Sequence, residues 1–283
     1  MKILLAATFG FICSLPAWPQ TEHGTVVVVF ATNEDLSVAA DSRGIIGGRD
    51  VDDNVCKIST LDRKLIIGIA GIMGQFDKGK QIWDALAIAK STFAGVEKKP
   101  TSDIAADMAT AWGAALKNKF TSELITRRDQ TLDAIRGSKE PDVLATGFIG
   151  GVSGGRFSLW MVKIRFSVAR TGYSVRYTTT QYPHPEKEPE LIAFGRGDIA
   201  GEAFFATTPR GSEWARQIRL ANAAASPRLR NAIAAIRAVE LSIKYLPIMP
   251  GHSVIDVGGP IDTVKMARNG TIDWIQRKLA CKD

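Results

Sequence analysis

The run Thr25-Val26-Val27-Val28-Val29-Phe30, entered through a Gly24-Thr25 step, limits the fold more than any other stretch of the chain. Its β-branched residues favour extended backbone, where a branched side chain fits the pleat. Successive strand residues face opposite sides, so Val27 and Val29 share one face while Val26, Val28 and Phe30 share the other. Both faces are apolar. Such a strand is expected to be buried on both sides, inside a layered arrangement of sheets and helices.

Asn33-Glu34-Asp35 are turn-type residues, and they suit a hairpin joining residues 25–32 to 36–41. Residues 44–54 read as a loop or irregular hairpin. Two short strands follow at 55–59 and 64–70, around Leu61-Asp62-Arg63. From about Gln75 the apolar period becomes helical, with Trp83, Leu86, Ala87 and Lys90 on one stripe. A second helix is expected over 102–120, with Ser102 as its N-cap. Residues 121–142 read as an exposed connection or helix. A hairpin follows over 143–149 and 156–166, then a strand at 173–180 and a proline-rich loop at 182–189. A strand at 191–194 leads into helical composition over 198–245, with Pro227 near the start of its last long helix. Strands at 253–257 and 263–268 close the chain. The order is strands, two helices, strands, helices, strands. It argues for two stacked sheets covered by helices rather than a doubly wound fold.

At the start, Lys2 precedes an apolar stretch from Ile3 to Leu15 and a Pro16-Ala17 break, the form of a secretory signal. We assign residues 1–20 to the signal, 21–24 to a short pro-segment and 25–283 to one domain. Export would place the chain in the periplasm or outside the cell, with no membrane attachment once the signal is removed. There Cys56 and Cys281 could pair; alternatively one is a buried thiol and the other an unrelated tail thiol. The net charge of +7 is dispersed among acidic residues rather than gathered on one face, so nucleic acid is not an expected partner. The three histidines, His23, His184 and His252, form no cluster with cysteine at zinc-ligand spacing, and neither metal nor cofactor is expected.

Counted from Thr25, Asp41 lies 16 residues on, Lys57 lies 32 on and Gly71 lies 46 on. The segments Val38-Ala39-Ala40-Asp41-Ser42-Arg43, Cys56-Lys57-Ile58 and Ile69-Ala70-Gly71, in this register with a Gly-Thr step, resemble the catalytic β-subunits of the proteasome. These belong to the N-terminal nucleophile hydrolases. The resemblance is carried by about residues 24–75 and is looser beyond. It implies an α+β fold, a four-layer α/β/β/α sandwich, and assembly into a homo-oligomer.

It also implies a role for each matching residue. Cleavage after Gly24 would make Thr25 the N-terminus, its hydroxyl the nucleophile and its own α-amine the base. The unperturbed pKa of such an amine, about 7.7–8.0, suits that task near neutrality. Lys57 would favour loss of the proton, Asp41 would hold Lys57, and the Gly71 N–H would stabilise the oxyanion. Arg43 would support the loop. Arg196 stands where the family has the serine of a Gly-Ser-Gly turn. Glu240 is the nearest counterpart of a later Asp and Ser pair. The expected activity is that of a threonine-type peptidase acting on peptide or amide substrates. A small-molecule amidase and a catalytically silent scaffold or binding subunit are the alternatives.

Overall fold

The computed structural model describes residues 20–23, 25–46, 50–77, 80–98, 102–126, 142–169, 172–183, 189–196, 198–206, 208–246 and 257–281. Their strands form three five-stranded sheets. The first runs in the order β13 (Glu190–Gly195), β2 (Val26–Ala31), β3 (Asp35–Ala40), β14 (Asp262–Ala267), β15 (Ile272–Gln276). In the second the order is β12 (Gly172–Tyr182), β11 (Arg156–Ala169), β10 (Val143–Ser153), β7 (Leu65–Gly71), β6 (Ile58–Leu61). The third is built from β5 (Asp50–Asp52), β4 (Gly44–Ile46), β1 (Gln20–His23), β8 (Gly74–Asp77) and β9 (Lys80–Asp84). The helices are α1 (Ala85–Val96), α2 (Ile104–Thr126), α3 (Asp198–Phe205), α4 (Pro209–Ala224) and α5 (Arg230–Tyr245).

β2 is enclosed as its composition requires. Val26, Val27, Val28 and Val29 are all 0% exposed. Val27 and Val29 enter a cluster with Ile58, Ile66 and Phe148 from the second sheet, whereas Val26, Val28 and Phe30 meet Ile199, Ala235 and Val239 from α3 and α5. Full burial of each valine contributes roughly 1.5–3 kcal/mol. The opposite side of the second sheet carries Ile67, Ile69 and Leu144 against Phe93 of α1 and Trp112 of α2.

The expected four-layer α/β/β/α sandwich is corrected. Strand residues outnumber helical ones among the described residues, and their pairings are antiparallel. The fold is β-rich, with a third five-stranded sheet for which a stack of two sheets has no place. The source of the error is local. Residues 44–54 form the hairpin that was one reading of them, β4 paired with β5, but it joins a sheet; residues from Gln75, read as helix, supply β8 and β9. Trp83 fits a helical stripe with Leu86 by spacing, yet it is a strand residue. The helix begins only at Ala85, because the Asp84 side chain accepts the Leu86 N–H at 2.9 Å and caps it.

Other elements differ by less. Asp103, not Ser102, caps α2, accepting the Ala105 and Ala106 N–H groups at 3.0 and 3.1 Å, and the helix continues to Thr126. Pro227 lies in the turn before α5. Pro209, behind a Thr208 cap, is the proline that opens a helix. β15 was not foreseen. The signal up to residue 19, Gly24, the connection 127–141, most of the proline-rich loop and the expected strand at 253–256 lie outside the described residues.

Candidate active site

Thr25 sits immediately before β2, between the first and third sheets, and is 1% exposed. Its carbonyl accepts the Arg196 N–H at 2.6 Å, at the end of β13. A Cβ on Gly195 would lie 2.3 Å from that same carbonyl oxygen, so only glycine lets β13 come so close. The Thr25 Oγ1 hydroxyl donates to Met73 Sδ at 3.6 Å. The hydroxyl therefore faces the short link between β7 and β8.

Asp41 follows β3 and collects donors from several directions. Its Oδ1 accepts the Val26 N–H at 2.8 Å and the Lys57 ammonium at 2.9 Å. Its Oδ2 accepts the N–H groups of Gly258 at 3.0 Å and Arg43 at 3.3 Å. Lys57, just before β6, also donates to the Arg43 carbonyl at 2.5 Å. Both side chains of the Asp41–Lys57 pair are 0% exposed. A buried pair of this kind gains little net stability from its charges, since taking both ions out of water offsets their attraction. Its effect is to fix a cation and a carboxylate in one arrangement.

Arg43 faces outward from this centre. Its guanidinium grips Asp53 through two bonds, Nε–Oδ1 at 2.6 Å and Nη2–Oδ2 at 2.9 Å. The hydrogen bond from Arg43 holds the Asp53 carboxyl below the usual carboxylate range and raises the Arg43 pKa in return. Arg43 thus shapes the 41–43 segment, while its carbonyl receives Lys57.

Gly71 ends β7 with φ at +93°, and a Cβ there would lie 2.6 Å from the Leu144 carbonyl oxygen. Close packing against β10 is reason enough for a glycine. Met73, two residues on, carries the sulfur that meets Thr25. Arg196 contributes its backbone N–H to Thr25. Glu240 does not join the site: it is exposed on α5 and pairs with Arg237 at 2.8 Å. Thr25, Asp41, Lys57 and Arg43 are thus linked in one network, with Arg196 tied to it through the backbone and Glu240 outside it.

Sequence reasoning missed several contributors. Met73 gave no signal. Cys56 and Cys281 form a disulfide with their Cα atoms 5.5 Å apart, so the cross-linked reading of the two cysteines replaces that of two separate thiols. Lys278, three residues before Cys281, is buried beside Ser42 and Val55. Only the neighbouring cysteine hinted that the C-terminal segment comes here.

Among the described residues no group of His, Cys, Asp and Glu is placed to hold a metal ion, and no helix is long and apolar enough to cross a membrane. The sequence matches no model of a known protein family, and no curated protein matches it either.

Proposed function

We propose that the chain is the precursor of an exported threonine-type N-terminal nucleophile hydrolase that cleaves peptide bonds, with Thr25 released as its N-terminus. One observation carries the reading: a single Asp41 oxygen holds both the Lys57 ammonium and the Val26 N–H, the peptide group that follows Thr25. The candidate nucleophile and the candidate cation are therefore referred to the same buried atom.

Hydrolysis of the Gly24–Thr25 bond would free the Thr25 α-amine. The amine takes the Oγ1 proton as the oxygen bonds to the substrate carbonyl carbon. The oxyanion so formed meets the Gly71 N–H. Collapse of this intermediate breaks the C–N bond, the proton passes to the leaving amine, and an ester on Thr25 remains. Water, deprotonated by the same amine, attacks that ester, releasing the acid and restoring the hydroxyl. The Lys57 charge favours the neutral amine throughout, because a nearby cation disfavours protonation.

A peptide is favoured over a small amide by the segment that leads into Thr25. β1 is a middle strand of its sheet, with Glu22 opposite Ile46 of β4 on one side and opposite Gly74 of β8 on the other. An extended substrate would find the same backbone donors and acceptors there. Export is supported by the Cys56–Cys281 disulfide, a cross-link that persists in oxidising compartments. A silent scaffold gains from two observations, Arg196 in place of a serine and the exposed position of Glu240.

The deciding experiment is N-terminal sequencing of the exported protein, followed by assays on an unfolded protein and on small acyl amides. A mature chain beginning at Thr25 and cutting the unfolded protein fits the proposal. A chain beginning upstream of Thr25 would sink it, since an acylated amine is no base, and would favour the scaffold.

A further inference from the structure

We infer that Lys278 is a positioning residue for the Asp41–Lys57 pair, and that the Cys56–Cys281 bond keeps it in place. The consequence for catalysis rests on the hydrolase reading above; the mechanical role does not.

An ammonium is costly to bury unless hydrogen bonds and an opposite charge offset its loss of water. Lys278 is nearly buried, with a side chain 7% exposed, and two acceptors and one carboxylate surround it. The acceptors are Ser42 Oγ at 2.5 Å and the Val55 carbonyl at 2.6 Å, and Asp262 Oδ2 faces the ammonium at 3.0 Å as an ion pair. Asp262, 1% exposed, accepts the Lys278 backbone N–H through Oδ1 at 2.8 Å, so one carboxylate holds both ends of the residue. Ser42 donates onward to the Pro260 carbonyl.

The two acceptors give this lysine its meaning. Ser42 lies between Asp41 and Arg43, the two residues that receive the Lys57 ammonium. Val55 lies two residues before Lys57, and its N–H donates to the Ser42 carbonyl at 3.0 Å. A single buried cation thus ties the segment carrying Asp41 to the segment carrying Lys57. Cys56 sits between Val55 and Lys57, and its bond to Cys281 adds a covalent tie from the same C-terminal turn. Two fastenings, spaced three residues apart at 278 and 281, hold one short segment from outside.

The test uses the exported full chain with Lys278→Met, Lys278→Arg and the double variant Cys56→Ser with Cys281→Ser. Two things are measured: amide hydrogen exchange, and the pH profile of kcat and KM on a peptide that the wild type cleaves. For Lys278→Met, exchange over residues 41–43 and 55–57 should quicken by about tenfold or more while β10 and β11 stay protected. Its kcat should fall about tenfold with KM nearly unchanged, the effect of a displaced rather than a missing group. The acid limb of the profile should move to higher pH, because a displaced Lys57 no longer disfavours protonation of the Thr25 amine. Lys278→Arg should recover much of the rate, and the cysteine double variant should show a smaller change of the same kind.

Unchanged exchange in these segments would overturn the inference. So would faster local exchange with an unaltered kcat and pH profile, in a wild type that hydrolyses peptides. Should Lys278→Met not fold, the arginine and cysteine variants give the same two readings. Localised exchange in a wild type that cleaves nothing would support the tie and count against the hydrolase.

Discussion

The Lys57 ammonium lies 2.9 Å from Asp41 Oδ1, and neither side chain reaches solvent. Asp41 also accepts three backbone N–H groups, from Val26, Arg43 and Gly258, so the two partners are not equivalent. Lys57→Met should leave a buried carboxylate without its cation and cost about 3–5 kcal/mol. Asp41→Ala should cost more, because it strands Lys57 and three backbone donors together. Urea unfolding of both variants checks the order. Equal losses would mean that the backbone bonds to Asp41 carry little.

Thr25→Ala should remove both cleavage before residue 25 and hydrolysis, with activity falling by about 10³-fold or more. Thr25→Ser should keep part of each, since the hydroxyl and its amine remain. Intact mass gives the first readout and peptide turnover the second. Full processing of the alanine variant would show that another protease makes the cut.

At Gly71 a side chain is excluded twice over, by φ at +93° and by the Leu144 carbonyl. Gly71→Ala is expected to destabilise by about 1–3 kcal/mol or more and to displace the N–H assigned to the oxyanion. Gly95→Ala is the control. A Cβ there meets nothing within 4 Å inside α1, and the change should stabilise by about 0.4–1 kcal/mol. Thermal unfolding separates the two.

Burial raises the pKa of Asp84, the cap of α1, more than its bonds to the Leu86 and Ala87 N–H groups lower it. With a folded-state pKa above the unfolded one, protonation favours the fold. Stability is therefore lost as pH rises through the folded value, and stays lower above it. Asn caps equally well without the charge, so Asp84→Asn should be more stable than wild type at pH 7. The advantage should vanish below about pH 4. Denaturant midpoints at the two pH values decide the matter, and equal midpoints at pH 7 would discount the burial effect.

The Cys56–Cys281 bond joins residues 225 apart in sequence. Reduction, or the double serine variant, should lower stability by about 2–5 kcal/mol. Denaturant melts with and without reductant measure it. A smaller loss would indicate that the 278–281 turn is already held by Lys278 and Asp262.

Parts of this molecule were legible in its sequence, for physical reasons. The two apolar faces of β2 follow from its six consecutive apolar residues, and its hairpin to β3 follows from Asn33-Glu34-Asp35. The third sheet could not be read in the same way. β4, β5, β8 and β9 are three to five residues long, and β1, which joins them, was read as part signal and part pro-segment. In the site, the register of Asp41 and Lys57 with Thr25 announced that they belong together. Lys278 has no such register: it reaches Ser42 across 236 residues, and no local pattern in the sequence distinguishes it from the lysines that lie on the surface.

Chain ends ordinarily fray, because nothing beyond them holds the last residues in place. A cut before Thr25 would produce an end of another kind. From Val26 onward the new terminus is an interior strand, paired to β13 on one side and β3 on the other and sealed from water on both faces. An amine and a hydroxyl on such a terminus have already lost their freedom to wander during folding. None of that ordering is left for the moment when a substrate arrives.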